Sequence, residues 1–282
     1  MIQHVSVIGA GTMGRGIAFV CALSGLSVSV QDKYEKGIED CKTYMEKQFK
    51  RSVEKGRISS QEADQKIENI EYHQAIEKAV SHSDLVIEAV PEIMDLKVEI
   101  FKEMDRYTPH HAILATNTST MSPTEISAQT SRPERCIALH FFNPVPKMKL
   151  IEVICGLETS EETVDRSFQF GEMIGKECVK INEFPGFAVS RMNCLIGNEA
   201  MNMVMEGVGS VEDIDKAMNL GLNHPMGPLE LADLVGLDTR LKNMEYLHQT
   251  LGEKYRPCPI LTKYVKAGHL GKKTGRGFYH YT

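Results

Sequence analysis

His140 closes a short apolar run, Ile137–Phe141, and Glu152 sits in the next one, Leu150–Ile154. Both runs read as strands. An imidazole changes charge near neutral pH, so it can take a proton from a reacting hydroxyl and return it. A carboxylate on the other ring nitrogen would fix the tautomer and stabilise the imidazolium that forms, as the acid of a catalytic triad does. Ser119 follows a further strand end at Thr116-Asn117-Thr118. A hydroxyl there can hold a reacting oxygen toward His140. Each residue has a plainer alternative: a satisfied core histidine, a surface acid, a turn or capping serine.

Gly9-Ala10-Gly11-Thr12-Met13-Gly14 is a G-x-G-x-x-G run, a weak signal alone. Here it follows a strand, Val5–Ile8, and opens a helical stretch, Thr12–Ser24, closed by Gly25. A second strand, Val28–Val30, leads to Asp32. That order is what dinucleotide binding requires. Gly9 permits the tight turn, Gly11 lets a pyrophosphate approach the backbone, and Gly14 lets helix and strand pack closely. The helix N-terminus, with Thr12 and Met13, offers N–H groups and a positive dipole end. Asp32 lies 23 residues beyond Gly9, where an acid meets the adenosine ribose hydroxyls. A carboxylate there repels a 2′-phosphate, so NAD is favoured over NADP; the adjacent Lys33 is the contrary feature. The plain alternative is a glycine-rich turn beside a surface aspartate.

Residues 33–57 hold a cluster of lysines and arginines, with Lys47, Lys50 and Arg51 at i, i+3 and i+4 on one helix face. Acids are interleaved, so charge alone leaves two readings open: a solvated charged helix, or a local site for phosphates. His110-His111 follows Pro109 in a loop with no suitably placed third ligand, and no metal is expected.

These residues must be held by an ordered frame. Strand runs at Val5–Ile8, Val28–Val30, Leu85–Ala89, Ala112–Ala115, Ile137–Phe141 and Leu150–Ile154 alternate with helical stretches such as Ile93–Tyr107. Ser122-Pro123-Thr124-Glu125 reads as a capping box. This alternation implies a mostly parallel sheet with helices on both faces. Past Asn182-Glu183-Phe184-Pro185-Gly186 the signals turn helical: Phe187–Glu206, a start at Ser210, Leu237–Leu251 and Ile260–Ala267. The expected fold class is α/β, a Rossmann-type dinucleotide-binding domain over 1–184 followed by a smaller all-α domain over 185–282.

A chain of 282 residues suits two such domains. A net charge of -6 provides no global field for nucleic acid. No run of about 18 apolar residues exists to span a membrane. The seven cysteines are scattered without a C-x-x-C pair, which argues for reduced core thiols in a reducing compartment. Nothing at the N-terminus reads as a signal peptide, so the cytoplasm is the default location.

Six blocks occur in order: Asn117-Thr118-Ser119, His140-Phe141-Phe142-Asn143-Pro144-Val145-Pro146, Leu150-Ile151-Glu152-Val153, Pro185-Gly186-Phe187, His224-Pro225-Met226-Gly227-Pro228 and Leu270-Gly271-Lys272-Lys273-Thr274-Gly275. With the glycine fingerprint they resemble the L-3-hydroxyacyl-CoA dehydrogenase family over roughly residues 2–281. The resemblance implies NAD-dependent oxidation of a 3-hydroxyacyl-CoA. His140 would be base, Glu152 its partner, and Ser119 a substrate contact. It adds Glu92, Lys97, Asn117, Asn143 and Lys273 as NAD contacts. It favours Lys50 and Arg51, on a helical arm, as contacts to the nucleotide of coenzyme A. It also implies a homodimer through the helical domain, where Met192, Met201, Met203 and Met205 look like more apolar surface than one domain needs. One position departs: the family's asparagine soon after Pro-Gly-Phe is Ser190 here, with Asn193 a rival one turn on. That departure keeps open a related substrate, such as a hydroxyadipyl-CoA or a free hydroxy acid. An inactive NAD-binding relative is the alternative from another class.

Overall fold

The computed structural model describes residues 2–281. The chain divides into two compact units, one ending at Glu183 and one beginning at Phe184.

The first unit is built on one sheet of β1 (His4–Ile8), β2 (Ser27–Gln31), β3 (Ile70–His73), β4 (Leu85–Glu88), β5 (Ile113–Thr116), β6 (Cys136–Phe141), β7 (Leu150–Cys155) and β8 (Glu177–Asn182). The spatial order is β3-β2-β1-β4-β5-β6-β7-β8. The first six strands of that order run parallel. β7 is antiparallel to β6, and β8 is parallel to β7. The parallel part has the doubly wound order, with its reversal between β1 and β4. Ligands in such sheets bind beyond the carboxyl ends of the strands.

Strand alternation explains the apolar runs. Val5, Val7, Leu85 and Ile87 join Ile17 and Cys21 of helix α1 (Thr12–Leu23) in one cluster. Their neighbours Ile8, Val86 and Leu114 fall in another, with Phe101 and Met104. Both faces are covered, so both parities are mainly apolar, and the buried polar exceptions such as Ser6, Glu88, Thr116, His140 and Glu152 each need partners. β3 and β8 lie outside the strand runs expected from the sequence. Ile70-Glu71-Tyr72-His73 is mostly polar, and β8 is largely exposed at the sheet edge, so neither carries a sustained apolar signal. The remaining helices here are α2 (Glu35–Glu54), α3 (Ser60–Glu68), α4 (Ile76–Val80), α5 (Met94–Tyr107), α6 (Pro123–Ser127) and α7 (Glu161–Met173). At α6, Ser122 Oγ accepts from the Glu125 amide at 3.0 Å, while its hydroxyl donates to Glu183 rather than completing a box.

The second unit comprises α8 (Val189–Met205), α9 (Val211–Leu222), α10 (Pro228–Val235), α11 (Leu237–Leu251) and α12 (Pro259–Lys266). Met201, Leu229, Leu237, Met244, Leu247 and Leu261 form its core. Two buried aspartates hold its ends together. Asp215 accepts from the Leu229 and Glu230 amides at 2.8 and 2.9 Å, capping the first turn of α10 from another helix. Asp233 accepts from the Phe278 and Tyr279 amides at 3.0 and 2.9 Å, which fastens the C-terminal segment.

The methionine stripe splits, and this corrects the sequence reading. Met201 is fully buried in the unit's own core and Met203 packs against it, whereas Met192 and Met205 stay exposed. Residues 201 and 205 are four apart, but the helix end at Glu206 leaves the last turn uncovered. All seven cysteines are free, five of them buried. Burial pushes the Cys41 and Cys136 thiols up to about 12, which leaves them unreactive. No helix among the described residues is long and apolar enough to cross a membrane.

Candidate active site

The glycine loop follows β1. Gly9 has φ +98°, and a Cβ there would lie 2.9 Å from the Ala89 carbonyl oxygen. A Cβ on Gly14 would lie 1.8 Å from the Gly9 carbonyl oxygen, so helix and strand touch backbone to backbone. Gly11, the N-cap of α1, differs: a Cβ there would meet no atom of the described residues within 4 Å. The N-terminus of α1, with Thr12 exposed and Met13 half-buried, is thus open to an anion. Asp32 stands just past β2. Its Oδ2 accepts from the Ala10 amide at 2.9 Å and its Oδ1 from the Tyr34 amide at 3.0 Å. The acid is therefore anchored to the same loop. This cradle fits a dinucleotide pyrophosphate with an acid near its ribose.

His140 and Glu152 face each other across the antiparallel β6–β7 pair. Facing residues lie on one side of the sheet about 5 Å apart, close enough for their side chains to meet. The His140 Nδ1 to Glu152 Oε2 distance is 2.7 Å. Glu152 is fully buried and His140 is 6% exposed, so the pair is shielded from water. Asn117, after β5, accepts from the Phe141 amide at 3.0 Å and ties the end of β5 to the strand carrying His140.

Ser119, Glu92 and Lys97 meet in one network, and the network contains a residue that sequence reading missed. Glu88, the last residue of β4, is fully buried. Its Oε1 accepts from Lys97 Nζ and from the Val90 amide, each at 2.7 Å, and its Oε2 from the Thr116 hydroxyl at 2.7 Å. Burial pushes the Glu88 carboxyl above its ordinary value, and the Lys97 ammonium opposes that rise. Lys97 Nζ also lies 3.2 Å from Glu92 Oε2. Glu92 Oε1 accepts from the Thr118 hydroxyl and from the Ser119 amide at 2.9 Å. Only the acid's place at a strand end, inside an apolar run, could have signalled Glu88.

An open cleft of about 530 Å³ lies in the same unit. It is lined by α1, by α2 and the residues after it, and by residues 143–147. It brings together Thr12, Asn143 and Arg51 from the expected sites. Lys50, one residue from Arg51, is exposed and does not line it; a 100° step along the helix turns it away. Arg15, Tyr44, Gln48, Lys55, Arg57 and Lys147 do line it. The Arg15 guanidinium carbon sits 4.9 Å from the Tyr44 ring centroid. Its Nε is buried without a hydrogen-bond acceptor among the described residues. A cation just after the last fingerprint glycine was the available signal for it.

Ser190, Asn193 and Lys273 belong to the second unit. Ser190 and Asn193 are both half-buried in the first turns of α8, so burial does not separate them. The Lys273 ammonium is held by Asp238 at 2.6 and 2.7 Å.

Residues 4–184 match the family model for the 3-hydroxyacyl-CoA dehydrogenase NAD binding domain, and residues 186–281 match that for the 3-hydroxyacyl-CoA dehydrogenase C-terminal domain. A probable 3-hydroxybutyryl-CoA dehydrogenase of Bacillus subtilis is 51% identical over 281 residues, covering 99% of this chain and 98% of that one. The mitochondrial hydroxyacyl-coenzyme A dehydrogenase of Homo sapiens is 39% identical, covering 100% and 92%. The crystal structure of an (S)-3-hydroxybutyryl-CoA dehydrogenase from Ralstonia eutropha superposes with a TM-score of 0.96 at 41% identity, covering all of both chains. The chain belongs to the 3-hydroxyacyl-CoA dehydrogenase family, and its first unit is that family's NAD binding domain.

Proposed function

We propose that the protein reversibly oxidises the 3-hydroxyl of a short-chain (S)-3-hydroxyacyl-CoA, 3-hydroxybutyryl-CoA foremost, to the 3-oxoacyl-CoA. The observation that carries this reading is the buried His140–Glu152 pair at a strand end. With Nδ1 engaged by the carboxylate, Nε2 takes the hydroxyl proton. Glu152 keeps the Nδ1 proton in place and neutralises the imidazolium. The Ser119 hydroxyl holds the substrate oxygen toward the ring. NAD, when bound, accepts the hydride that leaves C3. In the reverse direction His140 returns the proton to the alkoxide. Ser190 takes the place of the family asparagine at the substrate, with Asn193 the competing donor.

The test is NADH formation with 3-hydroxybutyryl-CoA, a hydroxyadipyl-CoA and free 3-hydroxybutyrate. Turnover is expected to be fastest with the first. Preference for either of the others would overturn the substrate, and no turnover with any would leave an NAD-binding protein without this activity. In the same assay NAD should exceed NADP in kcat/KM by at least about 10², because Asp32 meets the 2′-position with a like charge. Equal efficiency would sink the cofactor assignment.

The basic cleft is proposed to take the phosphates of coenzyme A. Arg15→Ala with Arg51→Ala should raise KM for the CoA thioester roughly tenfold at low salt, as loss of charge-assisted hydrogen bonds does. The loss should shrink as exposed charges are screened, within about 10 Å at 0.1 M salt. KM for the pantetheine thioester, which lacks the nucleotide, should stay put. An equal rise for both thioesters would remove the cleft from nucleotide binding.

Homodimerisation through the second unit is also proposed. Leu220, Leu222, Val208 and Leu234 leave it with large exposed apolar side chains that a partner would cover. A sedimentation mass of one chain overturns this. The free, mostly buried cysteines suit a cytoplasmic setting.

A further inference from the structure

We infer that Glu88 is a positioning residue for the reaction, acting from behind the site through Lys97 and Glu92 to hold Ser119. The inference rests on the proposed reading of Ser119 as a substrate contact. Two carboxylates share one buried ammonium. Lys97 is 1% exposed and Glu88 is not exposed at all, whereas the Glu92 side chain is 37% exposed. Glu88 is itself fixed on three sides, by Lys97, the Val90 amide and the Thr116 hydroxyl. It is therefore the rigid end of the chain of contacts. Glu92 is the movable end and spends its two oxygens differently. Oε2 faces Lys97, while Oε1 receives the Thr118 hydroxyl and the Ser119 amide. The Ser119 hydroxyl stands 3.5 Å from the same oxygen.

The charge balance makes this arrangement responsive to Glu88. A buried ammonium needs a counter-charge. With Glu88 ionised, Lys97 stays on the β4 side and Glu92 is left to grip the residue 118–119 turn. With a neutral amide at 88, Lys97 depends on Glu92 alone. Glu92 is then drawn toward the ammonium, and its hold on Thr118 and Ser119 loosens. Glu88 makes this difference without touching the substrate.

The experiment compares the wild type with Glu88→Gln, Glu92→Gln and the double variant. Hydrogen exchange is followed at residues 116–121, and kcat and KM are measured with the CoA thioester. Glu88→Gln should speed exchange at 118–120 as Glu92→Gln does. It should lower kcat roughly 10- to 100-fold, the scale of a misplaced contact group. The double variant should lose no more than the worse single variant. Multiplying losses, or unchanged exchange at 118–120, would overturn the inference. Glu88→Asp keeps the charge but draws it back by one methylene. It should fall between wild type and Glu88→Gln, and wild-type behaviour in it would overturn the inference if Glu88→Gln does not fold. The exchange readout needs no substrate, so it separates failure of this network from failure of the proposed reaction.

Discussion

His140→Ala is expected to lower kcat by about 10²–10⁴, the usual contribution of a positioned general base. Glu152→Gln should also cost heavily in kcat while leaving the fold and NAD affinity in place. The amide keeps the shape and one hydrogen bond to the ring but not the charge. The imidazolium formed as the proton transfers would then sit beside a neutral group, in a site where both partners are nearly excluded from water. Low local dielectric makes that missing charge matter more than it would at the surface. The two losses should not multiply, because the pair acts as a unit. A double-mutant cycle on kcat measures this, with NAD affinity and Tm as controls. If the double variant loses the product of the single losses, Glu152 does not work through His140. If His140→Ala turns over at near the wild-type rate, the base is elsewhere.

The His140–Glu152 pair was legible because its signal is local. Two apolar runs nine residues apart in chain position, 141 to 150, each carry one polar residue that alternation alone would have made apolar. In the observed antiparallel register the two face each other. The fingerprint was legible for the same reason: turn, helix start and acid fall within one strand-helix-strand unit. What stayed hidden depends on distant partners. Glu88 looks like the tail of an apolar strand until Lys97, Thr116 and Val90 are seen around it. Arg15 looks like one more helical cation until α2 brings Tyr44 over it. Lys50 and Arg51 looked equivalent at adjacent positions, and only the packed helix shows which of them meets the cleft. Asp233 reads as a helix-surface acid until the C-terminal segment, more than 40 residues later, closes onto it. Such contacts are set by how elements stack, which periodicity does not encode.

The glycines of the fingerprint should separate by experiment into two kinds. At Gly14 an added methyl would stand 1.8 Å from the Gly9 carbonyl oxygen, far inside contact distance. Alanine is intrinsically better than glycine inside a helix by about 1 kcal/mol, which favours the variant. Overpacking against a backbone that cannot swing aside costs about 1–3 kcal/mol or more, and here it wins. Gly14→Ala should therefore lose stability overall. At roughly 2–4 °C per kcal/mol for a unit of this size, Tm should fall by several degrees. NAD affinity should fall with it, because the displaced carbonyl belongs to the loop that receives the pyrophosphate. Gly11→Ala should behave in the opposite sense. Its methyl meets no atom of the described residues within 4 Å, so Tm should hold or rise slightly. The methyl would instead stand where the pyrophosphate must approach the α1 amides. Losing one or two charge-assisted hydrogen bonds at about 1.5–3 kcal/mol each should raise the NAD dissociation constant at least tenfold. Thermal unfolding with and without NAD reads both quantities on each variant. A Gly11→Ala protein that binds NAD as the wild type does would place the pyrophosphate away from this helix. A Gly14→Ala protein with unchanged Tm would mean that the helix slides along β1 at little cost, so the close contact does not constrain the loop.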